Sequence, residues 1–196
     1  MAVANLKYIT EEEYLALEEK AEVRHEYLAG QIFAMAGGSP AHARCAGNLI
    51  RALGNRAEGG SCGVYTSDLR IRVDATRLNT YPDVSVVCGE LRLTDRKPQA
   101  CTNPSVLVEV LSESTQEYDR GEKWRHYQTI ESLTDYLLVW QDRPRVEHYS
   151  RQSETTWNYR LFEGLDVAVP VDALGADISL AEIFRGIDFP QVPVLR

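Results

Sequence analysis

Two carboxylates stand out in the sequence because each lies within an otherwise apolar strand pattern. Asp83 follows Pro82 in the segment 81–88, and Glu109 interrupts the apolar run 104–111. Side chains two residues apart share a strand face and adjacent strands lie about 4.8 Å apart, so we expect the two carboxylates within about 5 Å of each other. Buried carboxylates that close repel each other unless a cation neutralises them. The pattern fits Mg²⁺, with Mn²⁺ as the alternative, because Mg²⁺ commonly uses only one or two carboxylates.

A purely structural explanation of the same pair stays open. Asp83 could cap a turn, and Glu109 could form a buried pair with an arginine, because buried acids are usually paired. A carboxylate with a perturbed environment can serve structure alone. The residues by themselves therefore do not decide between a metal site and a protein core in which each buried acid has a hydrogen-bond or ion-pair partner.

Three basic side chains are candidates for phosphate contact. His42 falls in the first turn of a predicted helix over 41–57, where the positive helix end favours anions. A local packing or capping role is the commoner one for such a histidine. Arg70 and Arg72 share a face of the alternating segment 67–74 with Asp68. A solvated charged strand face explains the two arginines at least as well as phosphate binding does.

Composition indicates an ordinary globular protein. The chain has 196 residues, of which 44 % are hydrophobic and 26 % charged, so we expect one domain over 1–196 rather than disorder. No apolar run approaches the roughly 20 residues that span a bilayer, and the first residues lack the pattern of a signal peptide. We therefore expect a cytoplasmic protein without membrane contact.

Charge and cysteine content narrow the expectations further. The formal net charge is -8, which argues against a general polyanion binder but leaves room for a local basic patch beside an acidic cleft. The four cysteines, at positions 45, 62, 88 and 101, contain no CxxC pair. Their spacing resembles neither a zinc site nor a disulfide framework, so we expect free and mostly buried thiols.

The pattern of elements predicts an α/β fold. Thr10 and Glu13 form a capping-box pattern for a helix that runs to about residue 22, with Tyr14, Leu15 and Leu17 facing inward. Further helices are predicted over 41–57, 116–130 and 180–185, and strands over 24–27, 31–35, 67–74, 81–88, 104–111, 135–140, 146–150 and 157–162. This order indicates a mixed β-sheet with helices on both faces.

Several of these segments together resemble the Uma-type restriction endonuclease family, which is placed in the PD-(D/E)XK nuclease superfamily. The resemblance covers about residues 8 to 185. The matching residues are Tyr81-Pro82-Asp83, Val108-Glu109-Val110-Leu111-Ser112, Ser114-Thr115, Asp119, Lys123, Tyr127, His25-Glu26-Tyr27 with Gly30, Ala36-Gly37-Gly38 with His42, and Ser67-Asp68-Leu69-Arg70.

The resemblance implies a restriction-endonuclease-like mixed sheet and assigns roles to individual residues. Asp83 and Glu109 match the metal-binding acids, and Glu26 resembles an extra carboxylate that some members supply. The usual lysine lies two residues after the second acid, but that position is Leu111 here. The family pattern points instead to Lys123 in the following helix. From the residues alone, a surface pair with Asp119, four residues earlier, is the commoner role for such a lysine.

The function implied by the resemblance is Mg²⁺-dependent cleavage of DNA by a homodimer. Leu111 and the net acidity keep a second reading open, in which a catalytically inactive nuclease fold binds nucleic acid or protein. A third reading is an unrelated metal-dependent hydrolase of small phosphoesters.

Overall fold

The computed structural model describes residues 8–35 and 37–189. In these two ranges the helices are α1 (Glu11–Glu18), α2 (Pro40–Ala57), α3 (Gln116–Tyr118), α4 (Trp124–Tyr127) and α5 (Leu180–Ile183), with a π-helical turn (Asp119–Lys123) and a 3₁₀ turn (Asp172–Leu174). The strands are β1 (His25–Leu28), β2 (Gln31–Ala34), β3 (Cys62–Thr66), β4 (Ile71–Val73), β5 (Leu78–Thr80), β6 (Val84–Cys88), β7 (Val106–Leu111), β8 (Asp135–Trp140), β9 (Arg145–Arg151), β10 (Trp157–Glu163), β11 (Ala168–Val171) and β12 (Ala176–Ser179). The prediction of one domain over 1–196 stays a prediction, because both ends lie outside the described ranges.

A six-stranded sheet with the order β10-β9-β8-β7-β6-β3 forms the centre of the fold. The β7–β8 pair is parallel, and its neighbours β6–β7 and β8–β9 are antiparallel. Helices cover both faces, so the prediction of a mixed α/β sheet flanked by helices is confirmed.

The helix α2 covers one face of this sheet. Ser39 caps it by accepting from the backbone N–H of His42, and Pro40 occupies the first turn, where its missing N–H costs nothing. Its apolar side packs onto inward-facing strand residues such as Val84 and Val108. The alternation of β7 sends Leu107 and Leu111 to the opposite face, and Glu109 with them.

The opposite face is covered by the continuous helical stretch from α3 through the π-helical turn to α4, called here helical segment 116–127. Tyr127 is fully buried against Leu107, Leu111 and Tyr136. The expected helix over 116–130 thus ends earlier and contains a π turn, a feature that occurs frequently at functional sites.

A second sheet with the order β2-β1-β5-β4 lies beside the central one. The β1–β2 hairpin turns through Ala29 and Gly30, which both have positive φ values of 49° and 86°. Glycine adopts such angles without strain, which explains its place in this two-residue turn. The hairpin fixes the register in which Glu26 and Phe33 are direct cross-strand neighbours.

Several predicted boundaries were wrong. The first helix ends at Glu18 rather than near residue 22, and Leu17 is 42 % exposed instead of facing inward. The predicted strand 67–74 is reduced to β4, because a turn bonds the N–H of Leu69 to the carbonyl of Thr66. The predicted strand 81–88 begins only at Val84, which leaves Asp83 in a bend after Pro82.

The expectation of four free thiols was also wrong. Cys62 and Cys88 are directly paired residues of β3 and β6, with Cα atoms 3.9 Å apart, and they form a disulfide. The two lie 26 residues apart in the chain, and only the strand pairing brings them together. Cys45 and Cys101 are free and buried, as expected.

In the part of the chain that the structure describes, every helix is too short or too polar to cross a bilayer.

Candidate active site

A cleft of about 580 Å³ collects four carboxylates and one lysine from separate elements. Glu26 comes from β1, Asp83 from the bend before β6, and Glu109 from β7. Asp119 and Lys123 come from the π-helical turn. Acidic groups therefore outnumber the one lysine in this cleft.

Lys123 lies among three of these carboxylates. Its Nζ atom is 3.0 Å from Oε1 of Glu26, 3.0 Å from Oε1 of Glu109 and 3.3 Å from Oδ1 of Asp119. The residue is only 5 % exposed. The expected pair with Asp119 exists, but it is buried and shared with two further acids rather than solvated on a surface.

The surroundings of Lys123 favour its charged form. Burial opposes the charge, but Glu109, Tyr127, Glu26 and Asp119 together hold the pKa of Lys123 well above its ordinary value. The ammonium therefore stays protonated at neutral pH.

Burial and neighbouring charges both act on the Glu109 carboxyl group. Burial raises its pKa well above the ordinary value, Lys123 opposes that shift, and the negative charges of Asp119, Asp83 and Glu26 add to it. The Tyr127 hydroxyl donates a hydrogen bond of 2.8 Å to its Oε1 atom. A buried acid among like charges is a group that an additional cation would stabilise.

Asp83 is fixed at the end of the β6–β7 pairing. Its Oδ2 atom accepts a 2.7 Å hydrogen bond from the backbone N–H of Val110, so the side chain replaces the acceptor that a longer β6 would supply. Because the negative charge of Asp83 contributes to the pKa of Glu109, the two carboxylates are electrostatically coupled. The expected separation of about 5 Å stays a prediction.

His42 contacts the same carboxylate. Its Nε2 atom lies 3.2 Å from Oδ2 of Asp83. The hydrogen bond to Asp83 raises the pKa of His42, and burial of the ring partly opposes the shift. The imidazole therefore orients Asp83, and its role toward phosphate stays a prediction.

Glu26 is held from two sides. The Thr80 hydroxyl donates a hydrogen bond to its Oε1 atom, which also faces the Lys123 ammonium. Thr80 belongs to β5, so the second sheet and the helical segment 116–127 together position this carboxylate. The structure thus brings Glu26, Asp83, Glu109 and Lys123 to one cleft.

Arg70 and Arg72 lie elsewhere. Both line a different pocket, of about 850 Å³, against α1. Arg70 is 3 % exposed and donates to the carbonyl of Pro98, while Arg72 pairs with Glu11 at 2.7 Å. The structure brings neither arginine to the carboxylate cleft.

Sequence reasoning gave too little weight to Asp119 and Tyr127. From the sequence, Asp119 has no role beyond pairing with Lys123, and Tyr127 is named only as part of the family pattern. Their spacing of four residues on either side of Lys123 places all three on one helix face, and this spacing is a usable signal. Gln141, which the sequence alone does not single out, lines the cleft and accepts a hydrogen bond from Ser39 at the start of α2.

Comparison with known proteins gives consistent results. The Uma2 family model, described as "Putative restriction endonuclease", matches residues 11–182. Two uncharacterized proteins of Synechocystis sp. are each 38 % identical to the chain: slr1290 over 185 residues, covering 92 % of this chain and 94 % of that protein, and sll1609 over 157 residues, covering 80 % and 89 %. A crystal structure titled as a putative nuclease belonging to DUF820 from Anabaena variabilis matches with a TM-score of 0.72 at 20 % identity, covering 90 % of this chain and 97 % of that one. This structural likeness shows the fold.

Proposed function

Because the chain belongs to the Uma2 family of restriction endonuclease-like proteins, we propose that it is a metal-dependent endonuclease that hydrolyses phosphodiester bonds of DNA. The observation that carries the proposal is the cleft in which Glu26, Glu109 and Asp119 surround the ammonium of Lys123, with Asp83 lining the same cleft. Carboxylates held this close together repel each other, and a bound cation would reduce that repulsion.

The donor set fits Mg²⁺, with Mn²⁺ as the alternative. No group of three or more acidic, histidine or cysteine side chains is arranged as a metal site within residues 8–35 and 37–189. Mg²⁺ does not require one, since it commonly binds one or two carboxylates and keeps several waters. Oε1 of Glu109 and Oδ2 of Asp83 already contact protein groups. We therefore assign the other carboxylate oxygens, Oε2 of Glu109 and Oδ1 of Asp83, to the ion. Glu26 is the third candidate ligand.

When bound, Mg²⁺ would lower the pKa of a coordinated water and neutralise charge on the phosphate. Lys123 lies against Glu109 from the helical segment 116–127, on the sheet face that Leu111 shares. A long side chain from the helix thus supplies the ammonium that position 111 lacks. We assign Lys123 to orienting the attacking water and to stabilising the negative charge that develops on the phosphate.

Asp119 and Tyr127 are positioning residues in this scheme. Asp119 contacts Lys123 Nζ at 3.3 Å, and Tyr127 donates to Glu109. Both are buried, so their geometry is set by packing rather than by solvent. Together they hold the lysine and the metal-binding acid at a fixed separation.

We propose DNA as the substrate from the description of the family, and a homodimer because two copies would present one cleft to each strand. The net charge of -8 favours a second candidate, a nuclease fold that binds without cutting. Metal binding and cleavage distinguish the two.

The test is nicking of supercoiled plasmid in Mg²⁺ or Mn²⁺, together with calorimetric titration of Mg²⁺. We expect cleavage and binding by the wild-type protein, and loss of cleavage with nearly unchanged Mg²⁺ affinity for Lys123→Ala, because Lys123 does not ligate the metal. Lys20→Ala, which replaces an exposed lysine next to α1, is the matched control and should cleave normally. A wild-type protein that binds no metal and cuts no plasmid would contradict the proposal.

A further inference from the structure

An exposed aromatic side chain lies at the edge of the carboxylate cleft. Phe33 is 47 % exposed and lines the same cleft as Glu26, Asp83 and Glu109. In the β1–β2 register it is the direct cross-strand neighbour of Glu26. Directly opposed residues of an antiparallel pair point to the same face, with Cβ atoms about 5 Å apart.

The ring of Phe33 lies outside the hydrophobic core of the described residues. It belongs to none of the hydrophobic clusters and makes no ring stacking or cation–π contact with the described residues. Exposed Tyr159 on β10 differs in this respect, because its ring packs on Tyr149 at 5.1 Å. Two neighbouring apolar residues, Ala34 and Met35, also line the cleft.

The charge of the protein makes an apolar contact with the substrate important. Nucleic-acid affinity usually comes from basic groups that neutralise phosphates, and this chain carries a net charge of -8. In the cleft itself the lysine is already surrounded by carboxylates. Stacking of a base on an aromatic ring is the contribution that does not depend on positive charge.

We infer that Phe33 forms a nucleobase-stacking subsite next to the carboxylates, where it binds the base of an unpaired nucleotide adjacent to the phosphodiester that is cut. This inference rests on the proposed function and names its substrate class. Both faces of a base are covered by its neighbours inside a duplex, so a ring at this position selects single-stranded or locally opened nucleic acid.

The test measures binding of fluorescein-labelled strands of about 15 nucleotides by anisotropy, with Ca²⁺ in place of Mg²⁺. The probes are a single strand, its duplex, and a fully abasic strand that keeps the phosphates but has no bases. We expect Phe33→Ala to weaken binding of the single strand by about 5- to 150-fold and to leave the abasic strand and the duplex within about twofold of wild type. Phe33→Trp should retain wild-type binding because it restores a stacking surface.

Tyr159→Ala is the matched control, since it removes an equally exposed ring that does not line the cleft, and we expect it to bind all three probes normally. Equal binding of the single strand by Phe33→Ala and wild type overturns the inference, and so does an equal loss on the abasic strand. If the wild-type protein nicks plasmid while Phe33→Ala binds normally, only the inference fails. If the wild-type protein neither cuts plasmid nor binds any probe, the proposed function fails as well.

Discussion

Replacing Lys123 by methionine removes the only lysine among the described residues that line the cleft, while keeping a side chain of similar length. Glu26, Glu109 and Asp119 are then left together without their shared ion-pair partner. Removing one partner of a buried ion pair typically costs about 3–5 kcal/mol. For a chain of this size each kcal/mol lowers the melting temperature by about 2–4 °C, so we expect a fall of roughly 6–20 °C at about pH 8.

The loss of stability in Lys123→Met should increase as the pH rises. Burial and neighbouring acids already raise the pKa of Glu109, and loss of Lys123 removes the contribution that opposes this shift. An acid whose pKa is raised on folding contributes stability that is present below its unfolded pKa, near 4.5, and is lost as pH rises through the folded value. The difference between Lys123→Met and wild type should therefore be small near pH 5 and largest near pH 8.

The assay is a set of thermal melts at about pH 5, 6.5 and 8, with and without millimolar Mg²⁺. Lys20→Met is the control, because Lys20 is exposed and its loss should leave the melting temperature unchanged at every pH. Mg²⁺ should stabilise Lys123→Met and wild type by similar amounts, since Lys123 does not ligate the metal and its loss leaves the Mg²⁺ affinity nearly unchanged. A variant that melts at the wild-type temperature at pH 8, or with the same deficit at every pH, would refute the account of this cluster.

Three further predictions concern individual side chains. Glu109→Ala should abolish metal-dependent nicking yet melt no lower than wild type without metal, because Lys123 keeps Glu26 and Asp119 as partners; unchanged nicking would reject the catalytic role. Cys62→Ser should lose about 3.5 kcal/mol of stability, the loop-closure value for a separation of 26 residues, and a reducing agent should lower the melting temperature of wild type but not of the variant. Glu182→Gln removes a carboxylate whose pKa the hydrogen bond from Arg56 lowers to about 2. Because that stabilisation is present above about pH 4.5 and is lost as pH falls toward 2, the variant should melt lower at neutral pH, by the equivalent of about 1 kcal/mol after solvent screening, and match wild type near pH 2.

Local patterns in the sequence were sufficient for the parts of the fold that depend on neighbouring residues. The capping box of Thr10 and Glu13 and the start of α2 at Pro40 follow from hydrogen bonds within one helical turn. The apolar run around Glu109 predicted a strand, which the structure shows as β7, and alternation along this strand places Glu109 on the face of Leu107 and Leu111. The absence of a lysine at position 111 directed attention to Lys123, and that deduction needed only the spacing of residues and the family pattern.

Tertiary structure alone decided which distant groups meet. The Cys62–Cys88 bond depends on the register of β3 against β6, and the His42–Asp83 contact depends on how α2 crosses the sheet. Arg70 has the polarity of a surface residue, yet packing places it over the Tyr14 ring and away from the cleft. The hydrophobic periodicity of a segment shows which face of its own helix or strand a side chain occupies. It does not show which residues the neighbouring helix or strand brings into contact with that face. The grouping of Glu26, Glu109 and Asp119 around Lys123 is set by the packing of a hairpin, a strand and a helical segment, whose relative positions only the folded chain determines.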